Sequence, residues 1–224
     1  MITRRDLSSL EAEGLLRRNA SRPLADLPLR VGLITAAGSA AERDFRTGLE
    51  ASGYDFGVMM VDCRMQGEQT APQVGAALRH LATEDLDVIV ITRGGGSRAD
   101  LSWLDQQSLC EAVARCPVPV VAAIGHEIDT SLVDLCAHTR CKTPTAAAEF
   151  LADRVGEQAR RLEDAGAAYD EAFGNVEARW LSAEGSLEKM IEQAETTIND
   201  FPDVMFVNAI DTEQFVPLIA EAQE

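Results

Sequence analysis

The sequence predicts an α/β protein with a doubly wound, Rossmann-like parallel sheet, followed by a long helical, coiled-coil-like C-terminal segment. Short β-branched apolar runs alternate with amphipathic helical stretches through the first 150 residues, and such alternation favours a parallel sheet with right-handed crossovers. A heptad pattern begins soon after residue 150. We therefore expect a helical connector (residues 1–26), an α/β domain (27–150), a helical arm (151–200) and an acidic tail (201–224).

Four apolar runs are predicted to be strands because they are short, rich in β-branched residues and bounded by polar or small residues. They cover residues 30–35, 56–61, 87–91 and 118–124. The helices between them follow from apolar spacing and from start and stop residues. A first helix over residues 6–18 is broken by Gly14, a second ends near Gly53, a third has Thr70 as its N-cap with Pro72 just inside, and a fourth covers about 105–114.

Composition is that of one globular domain with an appendage. The chain has 224 residues, of which 46% are hydrophobic and 25% charged. It has no apolar run of the roughly 20 residues that span a membrane and no signal-peptide core, so we expect a cytoplasmic protein without a membrane partner. Its five cysteines lack C-x-x-C spacing, which favours reduced core thiols over disulfides or a zinc site.

The net charge of −17 argues at face value against a nucleic-acid partner, but the acidity is unevenly distributed. From residue 151 onward there are 17 acidic and 5 basic side chains, a net charge of −12, which leaves −5 for the first 150 residues. No basic residue follows Lys189. The last part of the chain therefore has the pattern of a solvated acidic tail, and the α/β domain is not strongly acidic.

A glycine-rich loop follows the third predicted strand. Its sequence is Arg93-Gly94-Gly95-Gly96-Ser97. Consecutive glycines allow successive backbone N–H groups to turn toward one point as an anion-binding nest, and the arginine adds a planar cation suited to phosphate oxygens. We expect phosphate binding at Gly94, Gly95, Gly96 and Ser97. The alternative is a tight turn with a surface arginine.

Ionisable side chains follow three of the predicted strands. Asp44 lies beyond the first, Arg93 after the third, and His126, Glu127 and Asp129 after the fourth. The carboxyl ends of parallel strands meet at one sheet edge, which is where ligands bind in such folds. A lone histidine at a strand end is more often structural, but this combination beside a glycine loop predicts an active site.

At these residues the chain resembles the exodeoxyribonuclease VII large subunit. The motifs carrying the resemblance are Glu13-Gly14-Leu15, Arg43-Asp44, Gln66-Gly67, Arg93-Gly94-Gly95-Gly96-Ser97 with Asp100-Leu101, Gly125-His126-Glu127 with Asp129, and Thr143-Pro144 with Ala146-Ala147-Ala148-Glu149. The resemblance covers about residues 11–155. It implies an exonuclease that hydrolyses single-stranded DNA, and that the α/β domain is catalytic. The family's catalytic set falls on Asp44, Arg93, His126 and Asp129.

The chain departs from the family pattern in several places. Ala36-Ala37-Gly38-Ser39 replaces the family's Ser-Pro-Thr-Gly turn, and His138-Thr139-Arg140-Cys141-Lys142 replaces its Asp-Leu-Arg-Ala-Pro run. The family's tryptophan near the glycine loop is displaced to Trp103. The chain also begins at what resembles the connector after the family's OB-type domain, a fold that supplies a stacking platform for single strands. We therefore expect substrate capture to differ from that of a complete large subunit.

The residues themselves are suited to phosphodiester hydrolysis. Arg93 and the loop amides can stabilise charge on the phosphate, while His126 can act as general acid or base, oriented by Asp129 or Asp44. No metal is required by this scheme. The rival mechanism places Mg²⁺ on Asp44, Glu127 and Asp129. Glu127 is alternatively a charge in the first turn of the next helix.

The arm carries apolar or small residues at two sets of positions spaced by seven residues. They are Val155, Leu162, Tyr169, Val176, Ala183 and Met190, and Ala159, Gly166, Phe173, Trp180, Leu187 and Ala194. This seam predicts a coiled coil, and the alternative is an amphipathic helix packed on its own domain. The resemblance implies that the arm binds the exodeoxyribonuclease VII small subunit or a similar helical partner, and the seam also suits a homo-oligomer. A non-catalytic platform that binds an anion or a partner is the alternative function.

Overall fold

The computed structural model describes residues 4–94, 102–124 and 131–173. The chain divides into two compact units, Met1–Ala168 and Tyr169–Glu224. Its elements, in chain order, are α1 (Arg4–Ala12), β1 (Arg30–Thr35), α2 (Ala40–Ala51), β2 (Gly57–Asp62), α3 (Thr70–Leu81), β3 (Val88–Thr92), α4 (Gln107–Arg115), β4 (Val120–Ala123), α5 (Leu132–Cys136), β5 (Thr139–Arg140) and α6 (Pro144–Phe173).

The strands form one parallel sheet in the order β2-β1-β3-β4-β5, which confirms the predicted α/β class. Strand β1 lies between β2 and β3, and Ile34 is paired with Ile91. This is the 2-1-3-4-5 order of doubly wound sheets, in which the strand order reverses between β1 and β3. The ligand-binding crevice of such a fold lies at the carboxyl ends of those two strands.

Helices cover both faces of the sheet, and β3 shows how the sequence divides between them. Ile89 and Ile91 pack on the side of α3, α4 and α5, whereas Val88 and Val90 pack on the side of α2 and α6. All five residues of β3 are buried, because alternate side chains of a central strand enter two different cores. Such a strand appears in the sequence as a continuous apolar run.

The structure differs from the sequence prediction at several element boundaries. Helix α1 ends at Ala12, and α3 has Gln69 rather than Thr70 as its N-cap. Thr70 is buried instead, inside the first turn. Strand β5 was not predicted, because it has only two residues, and it is defined by the pairing of Thr139 with Val121 rather than by an apolar pattern.

Gly48 explains how α2 and α6 pack closely on the same face. A Cβ placed on Gly48 would lie 2.7 Å from the Cβ of Ala148, which is closer than two non-bonded carbon atoms approach in proteins. Glycine inside a helix costs roughly 1 kcal/mol relative to alanine. That cost is offset here by the contact between helices, which brings Ala147, Ala148 and Leu151 of α6 into the core beside Phe45 and Leu49.

Burial of the cysteines agrees with the prediction of reduced core thiols. All five are free and buried. Burial raises the pKa of the Cys63 and Cys141 thiols to about 11, so both are protonated at neutral pH. Among the helices that the structure describes, none combines the length and apolar character needed to cross a membrane.

The first part of the predicted arm is helical, since α6 continues to Phe173. Of the seam residues, Val155 is buried in the domain, whereas Leu162 is 68% exposed. Ala159 is half-buried and Gly166 is exposed. The seam positions from Val176 onward lie outside the described residues, so the coiled coil stays a prediction.

Asn19 connects the segment after α1 to the start of β4. Its side chain is fully buried. The amide nitrogen donates to the carbonyl oxygens of Cys116 and Val118 at 3.2 and 3.1 Å, and the amide oxygen accepts from the backbone N–H of Val120 at 2.8 Å. One side chain therefore satisfies three buried backbone groups that precede or open the strand.

Replacing Asn19 with leucine, which has a similar shape but no polar atoms, should lower the free energy of unfolding by about 3 kcal/mol, because three buried backbone groups lose their partner. Urea denaturation followed by circular dichroism measures this change. Ser21→Ala is the control, since its exposed hydroxyl donates only to the nearby Arg18 carbonyl, and it should cost under about 0.5 kcal/mol. Equal losses in the two variants would contradict the assignment.

Candidate active site

At the carboxyl ends of β1 and β3, Gly94, the first glycine of the glycine-rich stretch, lies close to the first turn of α2. A Cβ placed on Gly94 would lie 3.9 Å from the backbone nitrogen of Ala41, in the first turn of that helix. This proximity follows from the pairing of β1 with β3, since α2 begins five residues after β1 and Gly94 lies two residues after β3. The first turn of a helix and the start of a glycine-rich loop therefore share one site, a combination suited to anions.

The loop between β1 and α2 is held by carboxylates. Asp62, the last residue of β2, accepts a hydrogen bond from the Ala37 N–H at 2.8 Å, and Glu42 accepts one from the Gly38 N–H at 2.8 Å. Gly38 has φ +69°, a conformation that favours glycine. Ser39 is the N-cap of α2 and accepts from the Glu42 N–H at 3.2 Å. These contacts hold the Ala36-Ala37-Gly38-Ser39 turn between β1 and α2.

Arg93 is buried, with only 5% of its surface exposed, so the surface-arginine alternative is wrong. Its Nε donates to the carbonyl oxygen of Gly94 at 3.2 Å. Its backbone nitrogen donates to the carbonyl oxygen of Ala123 at 3.4 Å, at the end of β4. A planar guanidinium is suited to a bidentate contact with a phosphate group.

Asp44 lies on α2, one turn beyond Ala41, and its side chain is exposed. One turn of helix corresponds to about 5 Å along its axis, so Asp44 lies in the first half of α2, after the turn that Gly94 approaches. Of the predicted site residues, the structure describes Asp44, Arg93 and Gly94, and it places Gly94 close to Ala41 in the first turn of α2. The others lie outside the described residues: Gly95, Gly96, Ser97, His126, Glu127 and Asp129.

Two carboxylates that the sequence reading missed hold the start of α5, the helix after the predicted His126 segment. Asp134 Oδ2 accepts from the Ser131 N–H at 2.9 Å while the Ser131 hydroxyl accepts from the Asp134 N–H at 3.1 Å, which is a capping box. Asp105 Oδ1 accepts from the Leu132 N–H at 2.7 Å. The Ser-x-x-Asp spacing was a detectable signal for the first pair, but nothing in the sequence joins residue 105 to residue 132.

The surroundings of these carboxylates alter their protonation. Burial raises the pKa of Asp134 and of Asp105, against the opposing effect of their backbone hydrogen bonds. Arg140 Nε lies 3.7 Å from Asp134 Oδ2 and favours its ionised form. Within residues 4–94, 102–124 and 131–173, no group of three or more His, Cys, Asp or Glu side chains is arranged to hold a metal ion.

Comparison with known proteins decides the family. Residues 15–205 match the family described as exonuclease VII, large subunit. Curated relatives named exodeoxyribonuclease 7 large subunit include those of Moorella thermoacetica, 39% identical over 186 residues, and Acidothermus cellulolyticus, 45% identical over 162 residues. The match with the Moorella protein covers 83% of this chain and 46% of that protein. The match with the Acidothermus protein covers 70% of this chain and 38% of that protein.

The chain belongs to the exonuclease VII large-subunit family. It spans less than half the length of the curated relatives it matches, which include the Mycobacterium tuberculosis protein, 39% identical over 78% of this chain and 41% of that protein. The resemblance inferred from the motifs is thereby confirmed, and the match extends beyond the α/β domain into the predicted arm. In this family member, the crevice beside Arg93 is the candidate hydrolytic site.

The raised pKa of Asp134 predicts a pH dependence of stability. A native carboxyl group with a raised pKa binds more protons than the same group in the unfolded chain, so its contribution decreases as pH rises above about 4 through the raised value. Asp134→Asn cannot ionise, and its free energy of unfolding relative to the unmodified chain should therefore increase between about pH 4 and pH 7. Urea denaturation at several pH values tests this, with the exposed Asp164→Asn as control. Parallel pH profiles for the unmodified chain and Asp134→Asn would contradict the prediction.

Proposed function

We propose that this chain hydrolyses phosphodiester bonds at the ends of single-stranded DNA, as the catalytic part of an exodeoxyribonuclease VII large subunit. The observation that carries the proposal is the buried Arg93 at the crevice between β1 and β3, in a chain that matches this family. Family membership supports a nuclease, and the relatives are named exodeoxyribonucleases. The family match favours this activity over the alternative of a non-catalytic platform.

The proposed reaction uses four residues in distinct roles. Arg93, with the N–H groups of Gly94 to Ser97, binds the non-bridging phosphate oxygens and stabilises the charge that develops on them. His126 takes a proton from the attacking water or gives one to the departing oxygen as the P–O bond breaks. Asp129 or Asp44 orients the imidazole or the water. The exposure of the Asp44 side chain supports a role next to incoming water.

A magnesium-dependent variant of the reaction uses overlapping residues. Asp44, Glu127 and Asp129 would hold the ion through carboxylate oxygens, the ligands that Mg²⁺ prefers. A bound Mg²⁺ would supply electrostatic stabilisation of the phosphate oxygens. Arg93 binds the substrate in both variants, so the two mechanisms differ chiefly in the role of Glu127.

We further propose that the arm joins this chain to a helical partner. Leu162 is 68% exposed on α6 at a position of the predicted seam, as expected for a residue that a partner helix covers. The small subunit of exodeoxyribonuclease VII is the proposed partner, and a second copy of the chain is the alternative. We also propose that the chain is organised into the four predicted segments, which end at residues 26, 150, 200 and 224. We propose in addition that the protein is cytoplasmic.

Single-turnover cleavage of end-labelled single-stranded DNA tests the chemistry. His126→Ala should lower the rate by roughly two decades or more, the effect of losing a general acid or base. Arg93→Lys should be severely impaired, because an ammonium group cannot make a bidentate contact with phosphate. His80→Ala and Arg79→Lys are matched controls, because both residues are exposed in the last turn of α3, away from the carboxyl ends of β1 and β3. Both control variants should retain full activity.

Glu127→Gln separates the two mechanisms in the same assay. If Glu127 only stabilises a helix start, the variant should be nearly as active as the unmodified chain, with or without chelator. A magnesium site would make Glu127→Gln damaging and the activity sensitive to chelator. Near-normal cleavage by His126→Ala would exclude the proposed acid–base role, and failure of the unmodified chain to cleave any single-stranded substrate would exclude the proposed activity.

Leu162→Glu tests the proposed partner surface. The substitution should abolish self-association, or binding of the small subunit, because it places a charge in an apolar seam. The fold should be unchanged, since Leu162 is already exposed. Ala168→Glu adds the same charge at an exposed position outside the seam and is the control. Light scattering with and without the small subunit measures the association, and identical behaviour of the two variants would contradict the assignment.

A further inference from the structure

We propose that the first turn of α2 forms, together with Thr35 and Gly94, a binding site for one phosphate group of the DNA strand. The proposal rests on the proposed function, because it names residues that hold the substrate of that reaction. It gives a role to Thr35, which belongs neither to the predicted catalytic set nor to the predicted phosphate-binding loop.

Thr35 has a buried hydroxyl group without a partner. It is the last residue of β1, and its side chain is fully buried. Among the described residues, its Oγ1 has no hydrogen-bond partner. The neighbouring Thr92, at the end of β3, is equally buried, but its hydroxyl donates to the Ala123 carbonyl oxygen at 3.2 Å. A buried hydroxyl group without a partner is unfavourable, and a ligand oxygen next to Thr35 would remove that penalty.

The Thr35 side chain lies on the side of the sheet that α2 covers. Leu33 packs with Phe45 of α2 in one core, and alternate residues of a strand share a face, so Thr35 is on the same side as Leu33. Thr35 lies about 6.6 Å beyond Leu33 toward the carboxyl end of β1. Ala41 lies about 6 Å beyond Phe45 in the same direction, because a crossover helix runs back along its strands. The hydroxyl group is therefore next to the turn that contains Ala41.

Two N–H groups in the first turn of α2 are not used by its cap. Ser39 accepts from the Glu42 N–H, and Glu42 accepts from the Gly38 N–H. The N–H groups of Ala40 and Ala41 have no hydrogen-bond partner in the part of the chain that the structure describes. Unpaired N–H groups at the start of a helix, with the positive end of the helix dipole, favour an anion. Thr35 adds a third donor to this pair.

Gly94 leaves space beside the Ala41 nitrogen. Its backbone does not have the positive φ that favours glycine. A Cβ on Gly94 would lie 3.9 Å from that nitrogen, an ordinary van der Waals distance, and would meet no other described atom within 4 Å. Neither backbone strain nor packing among the described residues therefore requires glycine here. A Cβ would occupy space that a ligand oxygen needs in order to lie about 3 Å from the nitrogen.

Cations contact the backbone on both sides of this site. Arg43 Nη1 donates to a carbonyl oxygen of the turn before α2 at 3.0 Å, and Arg93 Nε donates to the Gly94 carbonyl oxygen at 3.2 Å. The carboxylate of Glu42 is paired with Arg46 Nε at 3.0 Å. A phosphodiester group has one negative charge and two non-bridging oxygens, which suit two N–H groups and a hydroxyl group as donors.

A pair of valine substitutions separates ligand binding from the loss of a buried hydroxyl group. Thr35→Val removes the hydroxyl and keeps the shape of the side chain. Thr70→Val is the matched control, since Thr70 is also fully buried with an unpaired hydroxyl, in the first turn of α3. That helix lacks a comparable pair of N–H groups, because Pro72 has none and the Thr70 N–H donates to the Gly67 carbonyl oxygen. Thr35→Ser keeps the hydroxyl and is the conservative variant.

Titration of the full chain with inorganic phosphate, followed by amide NMR, tests the site without requiring cleavage. Phosphate should shift the amide signals of Ala40, Ala41 and Gly94, and sodium chloride at equal ionic strength should not. Thr35→Val should weaken phosphate binding roughly tenfold, the effect of losing a hydrogen bond to a charged group. Gly94→Ala should also weaken it, whereas Thr35→Ser and Thr70→Val should bind as the unmodified chain does. No phosphate-specific shift, or equal weakening in Thr35→Val and Thr70→Val, would overturn the proposal.

Stability distinguishes a ligand contact from a structural one. Without phosphate, Thr35→Val should be as resistant to urea as the unmodified chain or more so, because it removes an unsatisfied buried group. A lower urea midpoint for Thr35→Val would show that the hydroxyl supports the fold instead, which would contradict the assignment.

Single-stranded DNA identifies the source of the phosphate group. A short oligonucleotide should shift the same three amide signals, and Thr35→Val should raise the DNA concentration for half-maximal cleavage roughly tenfold, with a smaller effect on the maximal rate. Shifts caused by inorganic phosphate alone would overturn the assignment to DNA. If the unmodified chain binds phosphate and DNA at these amides but cleaves no substrate, the proposed function fails and the binding site stands.

Discussion

The pairing of β1, β3 and β4 in parallel is the constraint on which the rest of the structure depends. Because these strands run side by side in one direction, the residues that directly follow each of them start from the same edge of the sheet. Residues far apart in the chain, such as Ala41 and Gly94, thereby become neighbours. The buried apolar side chains of β3, which enter a core on each face, fix this arrangement by removing both faces from water.

Strand pairing does not hold the loops that connect parallel strands. In this chain, carboxylates hold two of these loops by accepting hydrogen bonds from backbone N–H groups. Asp62 holds the turn before α2, while Asp105 and Asp134 hold the turn before α5. Carboxylates are efficient for this purpose because an ionised acceptor makes a strong hydrogen bond to an N–H that would otherwise lack a partner. The carboxylates at this edge of the sheet therefore contribute to the fold itself.

Arg93 shows how the same edge serves both structure and chemistry. A buried guanidinium is costly unless its donors are satisfied, and its contact with the Gly94 carbonyl directs it along the start of the glycine loop. A cation positioned before the substrate arrives does not have to be ordered when the substrate binds, which is the advantage of a preorganised site. Asp44 differs because its side chain is exposed, on the first half of α2.

The sequence by itself determined the α/β class, four of the five strands, the edge that carries Asp44 and Arg93, and the family, because apolar periodicity and contiguous motifs are local properties of the chain. It did not determine strand β5, the burial of Arg93, or the links made by Asn19 and Asp105. Asn19 contacts backbone groups about 100 residues away, and Asp105 contacts one 27 residues away. Such contacts leave no pattern in the sequence, since any polar residue is locally compatible there. Only the tertiary structure decides which distant N–H or carbonyl group lies within hydrogen-bonding distance.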